Sequence, residues 1–292
     1  MRTRERAELA LMLGPYLVGL AALVLVPAGV SFWLAFHEYD LLTPARWIGL
    51  DNFRELWEDD VFWISLENSL WFVAAAVPIR LLGALALGLL LARGFRGVAA
   101  ARTSVYLPTA VPDVAYALLW LWLLNPLFGP LNLTLGTLGA PTPSWLTDPT
   151  SARWAVILMT VFTLGEGFVV VLAVRAGLPR ELYELAAVEG AGTWRVFSGI
   201  TLPLLAPALV LLLLRDTILS FQLNFVPALI LTNGGPPPYA TTYLPLFVYR
   251  NGFEYLRYGY AAAAALLLFA LTLAVVWAQW RLLRRWRVAA AV

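Results

Sequence analysis

Residues 9–36 have the sequence LALMLGPYLVGLAALVLVPAGVSFWLAF, a run of 28 residues without a charged side chain. A helix that crosses the hydrocarbon core of a bilayer needs about 20 predominantly apolar residues, so this run is long enough to span it. Three arginines precede the run, as in a secretory signal, but the apolar part of a signal has only about 7–15 residues. We therefore predict a retained membrane helix.

Five further stretches have similar length and composition, which gives six predicted spans. Hydrophobic residues make up 61% of the chain and charged residues 13%, whereas soluble domains have about 45–50% and about 25%. We predict an all-α integral membrane protein whose residues 1–292 form a single transmembrane domain. The predicted spans are 9–36, 69–92, 103–124, 154–174, 204–231 and 258–280.

The placement of arginine predicts the orientation of these spans. All 20 basic residues are arginine. With a cytoplasmic N-terminus, 13 of them fall on inner segments and five on outer loops, and the other two, Arg80 and Arg215, lie within spans. Basic residues are in excess on the cytoplasmic side of membrane proteins. We therefore predict that both termini are cytoplasmic.

The residue types that several other functions need are missing or isolated. The chain has no cysteine and a single histidine, His37, which excludes disulfides and a metal site built on these residues. We expect His37 to be a solvated residue of the acidic loop after the first span, and residues 52–66 of that loop to form a surface helix. The phosphate-cradling pattern GxxxxGK[ST] is absent, so the chain cannot hydrolyse ATP by that machinery. We predict no catalytic residue and no metal ligand.

The loop between the fourth and fifth spans has the chemistry of two short helices joined by a hinge. It covers residues 178–203, LPRELYELAAVEGAGTWRVFSGITLP. Pro179 suits a first helical position and Gly190 a C-terminal cap, while Thr193 can cap the second helix and Pro203 can end it. One side has so little bulk that another protein's surface can approach it closely. That side is formed by Ala186, Ala187, Gly190 and Ala191.

This loop resembles the cytoplasmic loop of permeases in binding-protein-dependent ABC importers, which has the pattern E-A-A-x(3)-G-x(9)-I-x-L-P. Leu185 departs from the pattern at its second position, and Glu189 replaces a common aspartate and keeps its charge. An amphipathic helix at the membrane interface is the alternative, but it does not need the glycine-to-proline spacing. The resemblance implies a coupling helix that docks in a groove of an ATPase subunit. The residues implied in coupling are Glu184, Ala186, Ala187, Gly190, Ala191, Ile200, Leu202 and Pro203.

Other segments resemble the maltose and glycerol-phosphate type of sugar permease, among them 47–53, 231–236 and 258–262. The resemblance implies a translocation path for a solute, first of all a carbohydrate, with a non-sugar solute as the open alternative. It also implies a second homologous permease subunit, two ATPase subunits and an extracytoplasmic solute-binding protein. ATP and magnesium would bind the ATPase subunits and no cofactor would bind this chain. The implied location is a bacterial or archaeal plasma (inner) membrane, among lipids and without a nucleic-acid partner.

Several ionisable residues fall within the predicted spans, where charge is costly and usually faces a partner or a water-filled cavity. Arg215 and Asp216 are adjacent and point about 100° apart on a helix, so we expect them to have different neighbours. Two readings stay open, interhelical ion pairing and lining of the translocation path. The intramembrane charges are Arg80, Asp113, Arg215 and Asp216.

Neutral polar residues follow these charges on the fifth span. Ser220 and Asn224 are four residues apart and share a helix face, whereas Gln222 points elsewhere. Hydroxyl-rich sugars need such donors and acceptors beside aromatic rings, but interhelical hydrogen bonds would use the same residues. The candidate path residues are Ser220, Gln222, Asn224, Phe225 and Glu166.

Two other classes of function were weighed. An ion-coupled secondary transporter would carry inverted repeats with broken helices in matching positions, and no convincing pair is present. An intramembrane enzyme would need a nucleophile with a base, or a metal site, and the residue types for these are lacking.

Overall fold

The computed structural model of the chain describes residues 2–289, with side chains at residue 9, residues 11–222 and residues 224–283. It divides into two compact units. The first consists of Met1–Phe62 and Phe247–Phe269, and the second of Trp63–Leu246 and Ala270–Val292. Nearly all regular structure is helical, so the predicted all-α class is correct.

The first unit begins with a long apolar helix that contains a π-helical turn. The helix then leads into a two-stranded antiparallel hairpin, in which His37 pairs with Trp47. Asn52 fixes this turn, because its side-chain amide donates to the carbonyl oxygens of Ala35 and His37, each at 3.0 Å. The elements of this unit are the helical segments Arg2–Leu20, Ala21–Leu25, Val26–Leu34, Asp51–Glu58 and Arg250–Glu254, and the strands His37–Glu38 and Arg46–Trp47.

His37 is not the solvated loop residue that the sequence predicts. It is only 5% exposed, its Nδ1 lies 2.8 Å from the Trp33 carbonyl oxygen, and its ring lies against that of Trp33 at 3.7 Å between centroids, tilted by 33°. The acidic residues nearby favoured exposure to solvent. In the strand, however, successive side chains point to opposite faces, so His37 points inward while Glu38 points outward.

The predicted surface helix over residues 52–66 is also wrong in its bounds. A helix covers Asp51–Glu58, Asp59 is extended with φ −85° and ψ 107°, and Asp60–Leu91 is one continuous helix of 32 residues. The Asp59 carboxylate accepts a hydrogen bond from the Val61 backbone N–H at 2.8 Å, so it caps the long helix that follows.

The second unit is a bundle of helices, several of which are interrupted. Its helical segments after Asp60–Leu91 are Val98–Tyr106, Leu107–Ala110 (3₁₀), Asp113–Leu123, Pro130–Thr137, Pro149–Val161, Gly165–Ala176, Arg180–Val188, Thr193–Val196, Phe197–Thr201 (π), Leu202–Leu223, Phe225–Pro227 and Ala228–Thr232 (π). Leu244–Tyr249 and Tyr258–Ala289 contain residues of both units.

Four helical stretches of the described chain are long and apolar enough to cross a membrane: Leu11–Leu34, Asp60–Leu91, Thr193–Thr232 and Tyr258–Leu283. The pair Pro149–Val161 and Gly165–Ala176, bent by 42°, makes a fifth if it counts as one span. The predicted span 103–124 is instead divided at Val111 and Pro112. The physical reason is that Pro108 and Pro112 have no backbone N–H to continue a regular helix.

Pro203 does not end the helix before it, contrary to the sequence prediction. The chain stays helical on both sides of Pro203, from Thr193 to Leu223, because a π-helical turn over Phe197–Thr201 immediately precedes the proline. Such a turn shifts the hydrogen-bond register by one residue, which accommodates a proline that cannot donate.

Candidate functional site

A cavity of about 210 Å³ lies within the second unit. Its walls come from the helix Asp60–Leu91, the interrupted segment around Pro108, the bent helix pair and the helix that ends at Leu223. Its polar lining residues are Arg80, Thr109, Asp113, Tyr116, Thr160, Thr163, Glu166, Arg215, Asp216, Ser220 and Asn224.

The deepest charged contact in this wall joins Arg80 and Asp216. The guanidinium Nη2 of Arg80 lies 3.0 Å from Oδ1 of Asp216 and its Nε lies 3.3 Å from Oδ2, so the pair is bidentate. The two side chains are only 14% and 17% exposed. This geometry is the favourable one for an arginine–carboxylate pair, and it ties the helix Asp60–Leu91 to the helix Leu202–Leu223.

Arg215 and Asp216 have different principal partners, as their positions on the helix predicted. It forms an ion pair with Glu166 at the start of the helix Gly165–Ala176, and these two side chains are about half exposed. Arg215 also lies 3.9 Å from Asp216. Arg80, Arg215 and Asp216 therefore form ion pairs between helices and also line the cavity, whereas Asp113 lines the cavity without an ion pair among the described residues.

Neutral polar groups extend the wall along the helix Leu202–Leu223 and its end. Asp216, Ser220 and Asn224 follow one another at four-residue intervals on one face, and Ser220 and Asn224 are only 2% and 1% exposed. Ser220 Oγ, both side-chain amide atoms of Asn224 and Thr109 Oγ1 are buried with no hydrogen-bond partner among the described residues. Buried polar groups are nearly always satisfied, so these four atoms need partners from outside this chain, either water molecules or a bound solute.

The other candidate path residues are distributed unevenly around the cavity. Glu166 and the intramembrane residue Asp113 belong to its wall, whereas Gln222 is exposed and Phe225 is half-buried, and neither lines it. Sequence reasoning missed Thr109, Thr160 and Thr163. Their signal is weak, because a threonine within an apolar helix commonly bonds its own backbone, as the hydroxyl groups of Thr160 and Thr163 do.

A second candidate site is the helix Arg180–Val188, hereafter the loop helix. Gly190 ends it in the left-handed region with φ +71°. The Gly190 N–H donates to the Ala187 carbonyl at 3.1 Å and the Ala191 N–H to the Ala186 carbonyl at 2.9 Å, which together form a Schellman cap. The prediction that Thr193 caps the next helix is wrong. Gly192 occupies the N-cap position, without a side-chain hydrogen bond.

The exposed side of the loop helix is apolar as well as acidic. Glu184, Ala187 and Gly190 are exposed, but Ala186 is buried at 6% and therefore does not belong to the outward side predicted for it. Of the other residues predicted to take part in coupling, Ile200 and Leu202 are half-buried and Pro203 is exposed, all near the start of the following helix. Large exposed apolar residues that the sequence reasoning missed are Leu182, Leu185, Val188 and Trp194. Leu182, Leu185 and Val188 follow one another at three-residue intervals in the loop helix, which was the available signal.

Metal chemistry has no visible basis in the part of the chain that the structure describes. No group of three or more His, Asp or Glu side chains there could hold a metal ion.

Comparison with known proteins gives relatives over almost the whole chain. The chain is 36% identical to the probable ABC transporter permease protein YesP of Bacillus subtilis over 87% of this chain and 82% of that one. It is 32% identical to the sulfoquinovosyl glycerol transport system permease protein SmoG of Agrobacterium fabrum, covering 96% and 91%. It is 30% identical to the trehalose/maltose transport system permease protein MalF of Thermococcus litoralis, covering 94% and 92%.

A solved structure and a family profile agree with these relatives. A chain in the crystal structure of a bacterial alginate ABC transporter, in complex with a periplasmic protein that holds an alginate pentasaccharide, superposes with a TM-score of 0.84. It is 25% identical, and the match covers 97% of this chain and 96% of that one. The profile described as binding-protein-dependent transport system inner membrane component matches residues 84–288. The chain therefore belongs to this family of inner-membrane ABC transporter permeases.

Proposed function

We propose that this chain forms, with a second homologous permease subunit, the path by which a carbohydrate enters the cell from an extracytoplasmic binding protein. The observation that carries the proposal is the cavity wall, where Ser220, Asn224 and Thr109 present unpartnered neutral polar atoms. Sugar hydroxyl groups both donate and accept hydrogen bonds, so they can satisfy a hydroxyl and an amide together. Relatives named for sulfoquinovosyl glycerol and for trehalose and maltose support this class of solute.

Transport is driven by two ABC ATPase subunits in this proposal, and the loop helix is where one of them docks. The apolar residues Leu185, Val188 and Trp194 are 58%, 85% and 76% exposed, which favours a protein partner for that surface. ATP and magnesium bind those subunits, and this chain binds no cofactor and catalyses no reaction itself. The alginate transporter complex, which includes a periplasmic protein, supports the binding-protein partner.

We also propose that residues 1–292 form one transmembrane domain with six spans, both termini cytoplasmic and the loop helix on the same side. The arginine asymmetry supports this topology, with the divided segment Val98–Leu123 as the third span and the bent pair as the fourth. Reporter fusions at Arg287 and Asp59 test it. The expected result is a cytoplasmic signal at Arg287 and an external one at Asp59, and signals from the same side contradict the six-span topology.

The path is tested with a pair of substitutions in the same helix end. Asn224→Ala removes two of the unpartnered atoms, whereas Gln222→Ala removes the same kind of amide from an exposed position outside the cavity. We expect Asn224→Ala to lower uptake of the sugar by about tenfold or more, since one lost hydrogen bond to a neutral partner is worth about 0.5–1.5 kcal/mol and Asn224 offers two. Gln222→Ala should leave uptake unchanged.

The measurement is uptake into proteoliposomes that contain the whole complex, using the solute that copurifies with the partner binding protein. Equal uptake by the two variants contradicts the assigned path. A copurified solute that is not a carbohydrate contradicts the substrate class. Purification without an ATPase subunit contradicts the importer assignment as a whole.

A further inference from the structure

The loop helix is held to the rest of the second unit by very few side chains. Of its nine residues, Ala186 is buried and Tyr183 is half-buried, and the remaining side chains are exposed. Ala186 offers only a methyl group. Tyr183 is therefore the one large side chain of this helix that is directed into the unit.

Tyr183 contacts two different helices. The guanidinium carbon of Arg175, in the last turn of the helix Gly165–Ala176, lies 4.3 Å from the centroid of the Tyr183 ring, which is a close cation–π contact. The Tyr183 hydroxyl lies 3.2 Å from Oγ1 of Thr201, in the π-helical turn before the helix Leu202–Leu223.

The direction of the hydrogen bond follows from its neighbour. Thr201 Oγ1 also lies 3.4 Å from the Val196 carbonyl oxygen, to which it can only donate. A threonine hydroxyl has a single hydrogen, so Tyr183 donates and Thr201 accepts. Thr201 is 5% exposed, which shields the bond from competition with water.

The two helices that Tyr183 joins also meet at the cavity. The helix Gly165–Ala176 carries Glu166 and the helix Leu202–Leu223 carries Arg215, which form an ion pair in the cavity wall. At 1.5 Å per residue, Glu166 is about 14 Å from Arg175 along its helix, and Arg215 about 21 Å from Thr201. Tyr183 thus connects the loop helix to the two helices that carry the members of this pair.

We propose that Tyr183 is a positioning residue that transmits displacement of the loop helix to the two cavity-lining helices, so that ATP hydrolysis and solute movement stay tied together. This proposal rests on the proposed function, in which an ATPase docks on the loop helix. It differs from docking itself, because Tyr183 faces inward while Leu185 and Val188 form the outward surface.

Three substitutions separate the two contacts. Tyr183→Phe keeps the ring over Arg175 and removes only the hydroxyl donor, and Thr201→Val removes the acceptor at nearly constant volume. Each should lower the amount of solute imported per ATP hydrolysed by about two- to tenfold, the effect of one ordinary hydrogen bond. Thr201→Val also removes the donor to the Val196 carbonyl, so the Tyr183→Phe/Thr201→Val double variant should match Thr201→Val alone, where the Tyr183–Thr201 bond is already absent. Tyr183→Leu removes both contacts and should lower the ratio further.

Leu185→Ala is the matched control on the outward face of the same helix. It should weaken copurification of the ATPase subunit, whereas Tyr183→Phe and Thr201→Val should leave copurification and the thermal midpoint of the complex unchanged. The maximal rate of ATP hydrolysis stimulated by the loaded binding protein should fall in the Tyr183 variants, with the half-saturating concentration of that protein unchanged. A purely structural role would not produce this split.

The outcomes distinguish this proposal from the one it rests on. An unchanged solute-to-ATP ratio in Tyr183→Phe, Thr201→Val and Tyr183→Leu overturns the role of Tyr183 while leaving the importer intact. A fall in ATPase copurification equal to that of Leu185→Ala also overturns it, because Tyr183 would then act on docking. If the wild-type chain itself copurifies with no ATPase, the proposed function fails first.

Discussion

Replacing Gly190 by alanine should weaken the docking of an ATPase subunit through backbone strain alone. Gly190 has φ +71°, and a Cβ added there would meet no heavy atom within 4 Å. The left-handed conformation costs a residue with a Cβ about 1–2 kcal/mol, because the Cβ crowds the following carbonyl oxygen. The Schellman cap that ends the loop helix therefore becomes less populated, by about 5- to 30-fold relative to an uncapped turn.

The same turn contains its own control. Gly192 is also open, with nothing within 4 Å of an added Cβ, but its φ of −66° and ψ of 158° suit any residue. Gly192→Ala therefore adds the same methyl group without strain. Gly190→Asn should recover part of the loss, because asparagine tolerates the left-handed region better than alanine does. Gly190→Leu adds a bulky side chain to the same backbone strain. Because no heavy atom of this chain lies within 4 Å of an added Cβ, that bulk can clash only with a partner protein.

The assay is the dissociation constant of the partner ATPase subunit from the permeases held in lipid nanodiscs, together with coupled uptake in proteoliposomes. We expect Gly192→Ala within about twofold of wild type, Gly190→Ala weaker by up to about 5- to 30-fold, and Gly190→Leu the weakest. Equal dissociation constants for Gly190→Ala and Gly192→Ala would refute the strain argument. Full coupled transport by Gly190→Leu would remove the docking role of this turn.

Three further expectations concern stability. Arg80→Ala should cost about 3–5 kcal/mol because it leaves a buried carboxylate unpaired, and Arg215→Ala should cost less, because its partner Glu166 is about half exposed whereas Asp216 is 17% exposed; equal losses of assembled complex in a thermal assay would contradict this order. Gly165→Ala should cost about 1–3 kcal/mol by overpacking, since its Cβ would lie 3.0 Å from the backbone of a neighbouring helix, and an unchanged thermal midpoint would contradict the close approach. Hydrogen bonds from the backbone N–H and side chain of Ser151 hold the pKa of Asp148 below its usual 3.8, so its cap is complete above about pH 4 and is lost as the pH falls through the lowered pKa; hydrogen exchange at Ser151 should speed up below that pH in the wild type and show no such pH step in Asp148→Ala.

Local chemistry allowed the loop helix to be predicted closely. Gly190 forms its cap as predicted, and Pro179 lies at the N-cap, one residue before the first helical position predicted for it; both preferences come from the backbone of the residue itself. Pro203 shows the limit of such reasoning. A proline ends a helix only if no register shift absorbs it, and the π-helical turn before Pro203 is not evident from residue types.

Contacts between residues that are distant in sequence could not be predicted from helical spacing. The shared face of Asp216, Ser220 and Asn224 follows from helical spacing alone. The partner of Asp216 does not, since Arg80 lies 136 residues away and meets it only through the packing of two helices. His37 was misassigned for a different reason: its partners Trp33 and Trp47 are near it in sequence but cover it only after the hairpin has formed.

The buried Arg80–Asp216 pair lies between two π-helical turns of the span that carries Asp216. The candidate span Thr193–Thr232 carries Asp216, and its π-helical turns lie at Phe197–Thr201 and Ala228–Thr232, about 22 Å before and about 18 Å after Asp216 at 1.5 Å per residue. Hydrogen bonding is already altered at such turns, which are common sites of helix bending. Separating the charges would expose each one unpaired in a poorly solvated wall. We therefore expect this span to bend at the two π-helical turns while the Arg80–Asp216 ion pair stays intact. Either end of the span can then move while the part that carries Asp216 stays in place.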